Sequence, residues 1–385
     1  MSKFRKLAIL TLLSLLIFFN SPKVKAQTVE ELNKKIQEYT DQINRLQGEA
    51  STLSNQIKEF DAKINLTTTK ILQTQEQIKL LRGRIDQLEV SLGSLTDAFN
   101  SRVSETYKMS RVDASGNPML LITSKNISDA VSVYHYLQKI QEADRQLIER
   151  LESAKSTYND QKLEFEDLEK VLNAQKSELD SQKAAKASLL SATKNDERKY
   201  QDLLSEAKKQ LSALRRFVSS QGGASILSNQ TKCDGWGCYY NQRDSLWGNI
   251  GLGGSNYSVA EYGCLISSIS MVASHKGVNL KPDNIALSTS AFVPSTGYLY
   301  HSFSANGVNV TVTTASKSQL DSELAAGRPV IAGLYSGPDH FIVILRKEGS
   351  GYIMHDPFLE NGANRPLTDK YNVSDITSLR LVSFN

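Results

Sequence analysis

From Val29 to Phe99 apolar residues recur in alternating steps of three and four. One seam reads Val29, Ile36, Ile43, Ala50, Ile57, Ile64, Ile71, Ile78, Ile85, Leu92 and Phe99. The other reads Leu32, Tyr39, Leu46, Leu53, Phe60, Thr67, Thr74, Leu81, Leu88 and Leu95. The intervening positions are mostly Gln, Lys, Glu, Asp and Asn, the pattern of a left-handed coiled-coil seam. Thr67 and Thr74 make a polar weak point in it. The pattern breaks between about 110 and 128, where Asp113-Ala114-Ser115-Gly116-Asn117-Pro118 is turn chemistry and Met119-Leu120-Leu121-Ile122 is a short apolar group. It resumes through Leu137, Ile140, Leu147, Leu151, Ala154, Tyr158, Phe165, Leu168, Leu172 and Leu179, and more weakly through Leu189, Tyr200, Leu203, Ala207 and Leu214. Two helical stretches around one break predict an antiparallel hairpin over 27–217, each arm roughly 120–135 Å long at helical rise. Such a rod has little core and calls for a partner or a neighbouring domain.

A different pattern follows. Residues 218–235 are polar with paired glycines and read as a linker, and 236–385 as a separate domain. Cys264 precedes Leu265, Ile266, Ile269, Val272 and Ala273, which predicts a helix starting at the cysteine and ending before Gly277. The positive end of that helix would face the sulfur. Helices are expected over Pro282–Thr289 and Lys317–Ala326. Strands are expected over Val308–Val312, Pro329–Leu334, Phe341–Leu345 and Tyr352–Met354. The fold class expected is therefore multidomain, an all-α coiled-coil hairpin followed by an α+β domain. If the last hairpin loop centres on Glu348, His340 lies directly opposite Asp356. A slip of one residue would instead put Pro357 there.

Charge and cysteine usage narrow the chemistry. Five of the 45 basic residues precede residue 27, where no acid occurs, which leaves 40 basic against 41 acidic residues in the remainder. That balance gives no basic field for nucleic acid. Lys3, Arg5 and Lys6 followed by the apolar run Leu7–Phe19 and by Val24-Lys25-Ala26 predict a secretory signal over 1–26, hence a secreted or cell-envelope protein. An uncleaved anchor is the other reading of the same residues. No later run suits a membrane helix. Of the three cysteines, Cys233 and Cys238 flank a turn-like Asp234-Gly235-Trp236-Gly237 and either close a small disulfide loop or stay unpaired. No Cys/His spacing suits zinc, and no cofactor is called for. Cys264, His340 and Asp356 supply a nucleophile, a base and a carboxylate to orient the base. Gln242 supplies an amide N–H for a developing oxyanion. His355 must point to the face opposite Asp356 and is assigned a structural role, as are His135, His275 and His301.

Two resemblances are carried by these residues. Tyr107-Lys108, the stretch Pro118 to Ala130 (PMLLITSKNISDA) and Tyr136 to Arg145 (YLQKIQEADR) resemble the coiled-coil region of septal murein hydrolases and murein hydrolase activators. That implies a rod which docks on a division-site membrane complex and restrains a cell-wall hydrolase. Tyr240, Gln242, Asp244 and Trp247, then Gly263-Cys264, Gly327-Arg328-Pro329-Val330-Ile331, His340-Phe341-Ile342-Val343 and Asp356-Pro357 resemble the papain-like cysteine peptidases of the bacteriocin-processing, double-glycine type. Carried over, Cys264 is nucleophile, His340 base, Asp356 orienter and Gln242 oxyanion donor. The substrate implied is a peptide, with peptidoglycan stem peptides favoured for an exported form that no ATP-binding domain follows; a general exported protease and a non-catalytic adaptor that activates a separate murein hydrolase are the alternative readings.

Overall fold

The computed structural model describes residues 29–48, 52–112 and 127–385. The expected signal at 1–26, the seam position Ala50 and the turn with its apolar group at 113–122 lie outside them. Where the heptads predict two arms, the described residues form four long helices: α1 (Val29–Gly48), α2 (Leu53–Val112), α3 (Ile127–Thr193) and α4 (Glu197–Ser220). The two extra breaks have local causes. Thr52 caps the start of α2, its hydroxyl accepting from the Asn55 N–H at 3.2 Å. Between α3 and α4, Lys194 and Asn195 adopt left-handed backbone (φ 50 and 56), and the Asp196 carboxylate accepts from the N–H groups of Arg198 and Lys199. A seven-residue repeat does not register such breaks, because the three-four spacing resumes on either side of them.

The chain divides into two compact units, Leu72–Leu168 with the described residues up to Glu38, and Tyr39–Ile71 with Glu169–Asn385. In the first, α2 and α3 pair antiparallel: the Arg102 guanidinium reaches Asp144 at 2.7 Å and Arg82 lies over the Phe165 ring. Asn33 of α1 accepts from the Gln73 amide at 2.5 Å. In the second, Leu53 and Phe60 of α2, Ala185 and Leu189 of α3, and Tyr200 of α4 form a small apolar cluster. Thr67 and Thr74, the polar seam positions, are buried.

The second unit also holds a seven-stranded antiparallel sheet. Its strands are β3 (Ser302–Ala305), β4 (Val308–Ala315), β5 (Val330–Leu334), β6 (His340–Glu348), β7 (Gly351–His355), β8 (Arg365–Pro366) and β9 (Ile376–Phe384). A small ladder of β1 (Lys232–Cys233) and β2 (Cys238–Tyr239) lies outside it. The order across the sheet is β3-β4-β9-β5-β6-β7-β8, so the final strand sits near the middle. One face carries the core that holds Cys264, Ile269, Phe341 and Val343, under α6 (Cys264–His275). The other carries Ile342, Ile344, Leu320 and Met354, together with Phe217 and Val218 from the end of α4. Helix α4 thus continues three residues past 217, and its last turn belongs to the sheet's own core. A disulfide joins Cys233 and Cys238, leaving Cys264 free. Among the described residues no helix is long and apolar enough to cross a membrane.

Residues 230–247 are pinned to the loop after β7. The Tyr239 hydroxyl donates toward the carbonyls of Asp356 at 2.8 Å and Leu359 at 3.0 Å, and accepts from the Asn241 amide at 3.0 Å. Tyr239→Phe leaves those buried groups short of a partner. It is expected to cost about 1–3 kcal/mol in denaturant unfolding without changing the circular dichroism spectrum. A loss below a few tenths of a kcal/mol would show that the hydroxyl is dispensable to the fold.

Candidate active site

Cys264 occupies the first turn of α6. A one-turn helix, α5 (Val259–Tyr262), is capped by Ser258 and runs into Gly263, which serves both helices as a terminal residue. A methyl group on Gly263 would stand 2.5 Å from the Val259 carbonyl oxygen, so only glycine lets the two helices abut there. The abutment puts the sulfur beside the unpaired N–H groups that open a helix. Cys264 is 1 % exposed.

His340 opens β6 and Asp356 follows the last residue of β7. The hairpin between them does not centre on Glu348 as expected. Its loop is Gly349-Ser350, and Glu348 pairs with Gly351. Continued down the ladder, that register would place His340 and Asp356 on opposite faces of the sheet. A bulge between Ile344 and Arg346 absorbs one residue and brings Val343 opposite His355. His340 and Asp356 then share a face as diagonal neighbours rather than a direct pair. The His340 Nε2 meets Asp356 Oδ1 at 2.8 Å. Nδ1 is the nitrogen that Asp356 leaves free, and Cys264 is near enough to the imidazole to help raise its pKa.

Both members of the pair are buried, at 1 % and 0 % exposure. Burial alone would lower the His340 pKa; the Asp356 charge and hydrogen bond outweigh it, Cys264 adds to them, and the pKa is raised to about 9. Burial alone would raise Asp356. The charge of His340 and its hydrogen bond, the Phe358 N–H at 2.8 Å and the Tyr371 hydroxyl at 2.7 Å hold it below the usual carboxylate range. Tyr371 has no local sequence signal: it lies 15 residues past Asp356, in a loop, and is found only by proximity.

Gln242 is 1 % exposed and lies against the helix leading into the cysteine. Its amide donates to the Ala260 carbonyl at 2.7 Å, which engages one of the two N–H groups expected to serve an oxyanion. Asp244 does not join the pair. Its carboxylate accepts from the N–H groups of Gln230, Thr231 and Leu246 and folds the approach segment. The Trp247 indole N–H donates to the Asn241 carbonyl at 2.7 Å. His355 points to the other face, as expected. Its Nδ1 accepts from the Asn364 N–H at 2.9 Å, and burial lowers its pKa to about 4. Among the described residues no group of three or more His, Cys, Asp or Glu side chains is arranged to hold a metal ion.

A residue outside the expected set covers the site. Phe217, in the last turn of α4, stacks on the His340 ring with centroids 4.1 Å apart and planes 6° from parallel. Phe358 meets Phe217 edge-on at 5.3 Å. Leu214, one turn earlier, belongs to the same core as Cys264, and Arg216 approaches Asp339 at 3.4 Å. The arrangement can polarise a thiol against an imidazole and fix that imidazole's orientation, while Phe217 covers one face of the ring.

The raised His340 pKa contributes stability that is fully present below the ordinary value of 6.5 and is lost as the pH rises through about 9. In Asp356→Asn the balance reverses, burial dominates, and the His340 pKa is expected below 6.5. Titration of the ¹⁵N-labelled imidazoles checks this; a value unchanged near 9 would exclude Asp356 as the cause. Comparison of the chain with protein-family models, with curated proteins and with solved structures found no match.

Proposed function

We propose that this chain is an exported cysteine peptidase with a papain-like catalytic domain, acting on cell-wall peptides. The observation that carries the reading is a free cysteine in a helix's first turn beside a buried imidazole held by a carboxylate. In the reaction, His340 takes the Cys264 proton and the sulfur attacks an amide carbonyl. The imidazolium returns the proton to the leaving amine, and water then releases the acyl group. Asp356, braced by Tyr371 and Phe358, keeps the ring in one orientation. Backbone N–H groups at the start of α6, with the second N–H of Gln242, face the developing oxyanion.

In this reading the helical part restrains the enzyme, and a division-site membrane complex is the partner that relieves the restraint. Helix α4 supports it. Tyr200 anchors its start in the cluster with α2 and α3, and Phe217 at its other end lies on His340. The same covered site also favours a second reading, a non-catalytic adaptor whose hydrolase-like domain binds and activates a separate enzyme.

Cys264→Ala is expected to lower release of fragments from purified cell wall by about a thousandfold or more; unchanged release would end the peptidase reading. Phe217→Ala is expected to speed labelling of Cys264 by a thiol-reactive peptide electrophile about tenfold or more, as loss of a buried aromatic favours the uncovered state. A Cys264 that stays unlabelled in Phe217→Ala would favour the adaptor.

A further inference from the structure

In a thiol peptidase the attacked carbonyl sits beside the sulfur and the leaving amine beside the imidazole, so the substrate spans the gap between the two. The last turns of α4 occupy that region. They lie against α5, the turn of helix that ends at Gly263 beside the cysteine, and Leu214 belongs to the core that holds Cys264. Phe217 stacks on the His340 ring. Ala213, Arg216 and Phe217, at the spacing of one helix face, meet the loop that leads into β6. A Cβ on Gly337 of that loop would stand 3.2 Å from the Ala213 Cβ and 2.5 Å from Asp339 Oδ1, so glycine there lets both the helix and the carboxylate close in. The Asp339 N–H donates to the Leu334 carbonyl at 2.9 Å, which closes the loop from β5 and fixes where the carboxylate starts. The Arg216 guanidinium stands 3.4 Å from Asp339 Oδ1 and is, among the described residues, the only group that bonds this side chain. The Asp339 side chain is 19 % exposed and that of Arg216 61 %, so as a tether the pair contributes little to stability. What it marks is a place beside the imidazole where a cation meets a carboxylate.

We infer that Asp339 is the subsite for a cationic side chain of the substrate, an ammonium or guanidinium carried close to the amide that is cut, and that Arg216 holds that place while α4 is docked. This rests on the peptidase reading and deepens it by naming the charge of the peptide selected. The nearness to the cut follows from both chains. Asp339 and His340 are consecutive, as are Arg216 and Phe217, so adjacent residues of α4 engage the carboxylate and the ring. An extended peptide advances about 3.3 Å per residue, which puts the cationic residue within about two residues of the cut amide. When α4 leaves, the carboxylate stays beside the imidazole without a counter-charge, and a cation arriving there gains a charge-assisted hydrogen bond. A neutral side chain leaves Asp339 unpaired and an acidic one is repelled, so the carboxylate discriminates between peptides.

The test uses the full chain carrying Arg216→Ala and Phe217→Ala, which vacate the carboxylate and the ring, and Cys264→Ala, which prevents turnover. It is titrated calorimetrically with alanine-based hexapeptides, acetylated and amidated so that their ends carry no charge. Each holds one Lys, norleucine or Glu at the second, third, fourth or fifth position. At one of these positions the Lys peptide is expected to bind about tenfold or more tighter than its norleucine counterpart, with the Glu peptide weakest. Adding Asp339→Asn is expected to erase the preference, and Asp339→Lys to turn it toward Glu, which a merely structural carboxylate would not do. Equal affinities for Lys and norleucine, no binding by any peptide, or a preference that survives Asp339→Asn would overturn the subsite. The same peptides given to chain with Cys264 intact separate the two proposals. Cleavage without a Lys preference leaves the peptidase and removes the subsite; Lys preference in binding without cleavage does the reverse.

Discussion

A carboxylate and an imidazole buried together, at 0 % and 1 % exposure and 2.8 Å apart, place the strongest demand on this structure. Removing both from water is unfavourable unless their remaining hydrogen-bonding capacity is satisfied. The fold meets that demand from several directions. Phe358 and Tyr371 serve the Asp356 side chain, Tyr239 serves its carbonyl, and Phe217 seals the face of the ring. These contacts come from α4, β2, the β7–β8 connection and the loop after β8. Losing one of them disturbs a network, because each keeps a buried charge in a tolerable setting.

Helix α4 links that centre to the helical base. Its N-terminal half offers Tyr200 and Leu204 to α2 and α3, and its C-terminal half offers Leu214, Phe217 and Val218 to the two cores of the sheet domain. One continuous apolar stripe therefore has two docking partners. A shift of the base need not travel through the sheet to reach the site; it acts along a helix whose far end lies on His340. That makes α4 both a structural tie and the element through which a restraint on the site would operate.

Much of the architecture was legible locally. The heptads announced long helices, the apolar run after Cys264 announced α6, and short β-branched runs announced β4, β5, β6 and β7 close to their observed limits. The helix ends at Gly48 and Thr193 were not, since a heptad seam records which side of a helix is apolar and not where the helix stops. Strand β9 was missed altogether. Its insertion between β4 and β5 depends on partners distant in sequence.

The residue types of the candidate site were set by the chain alone: a cysteine before a helical run, a histidine opening a strand, and an aspartate just after the next. Their meeting was decided in three dimensions. A bulge of one residue between Ile344 and Arg346 places His340 and Asp356 on one face, and the ladder as its turn begins it would have separated them. Side chains alternate along a strand, so parity is a property of the paired hairpin rather than of either strand. Tyr371 and Phe217 likewise belong to the site only because folding brings distant segments onto the same buried pair.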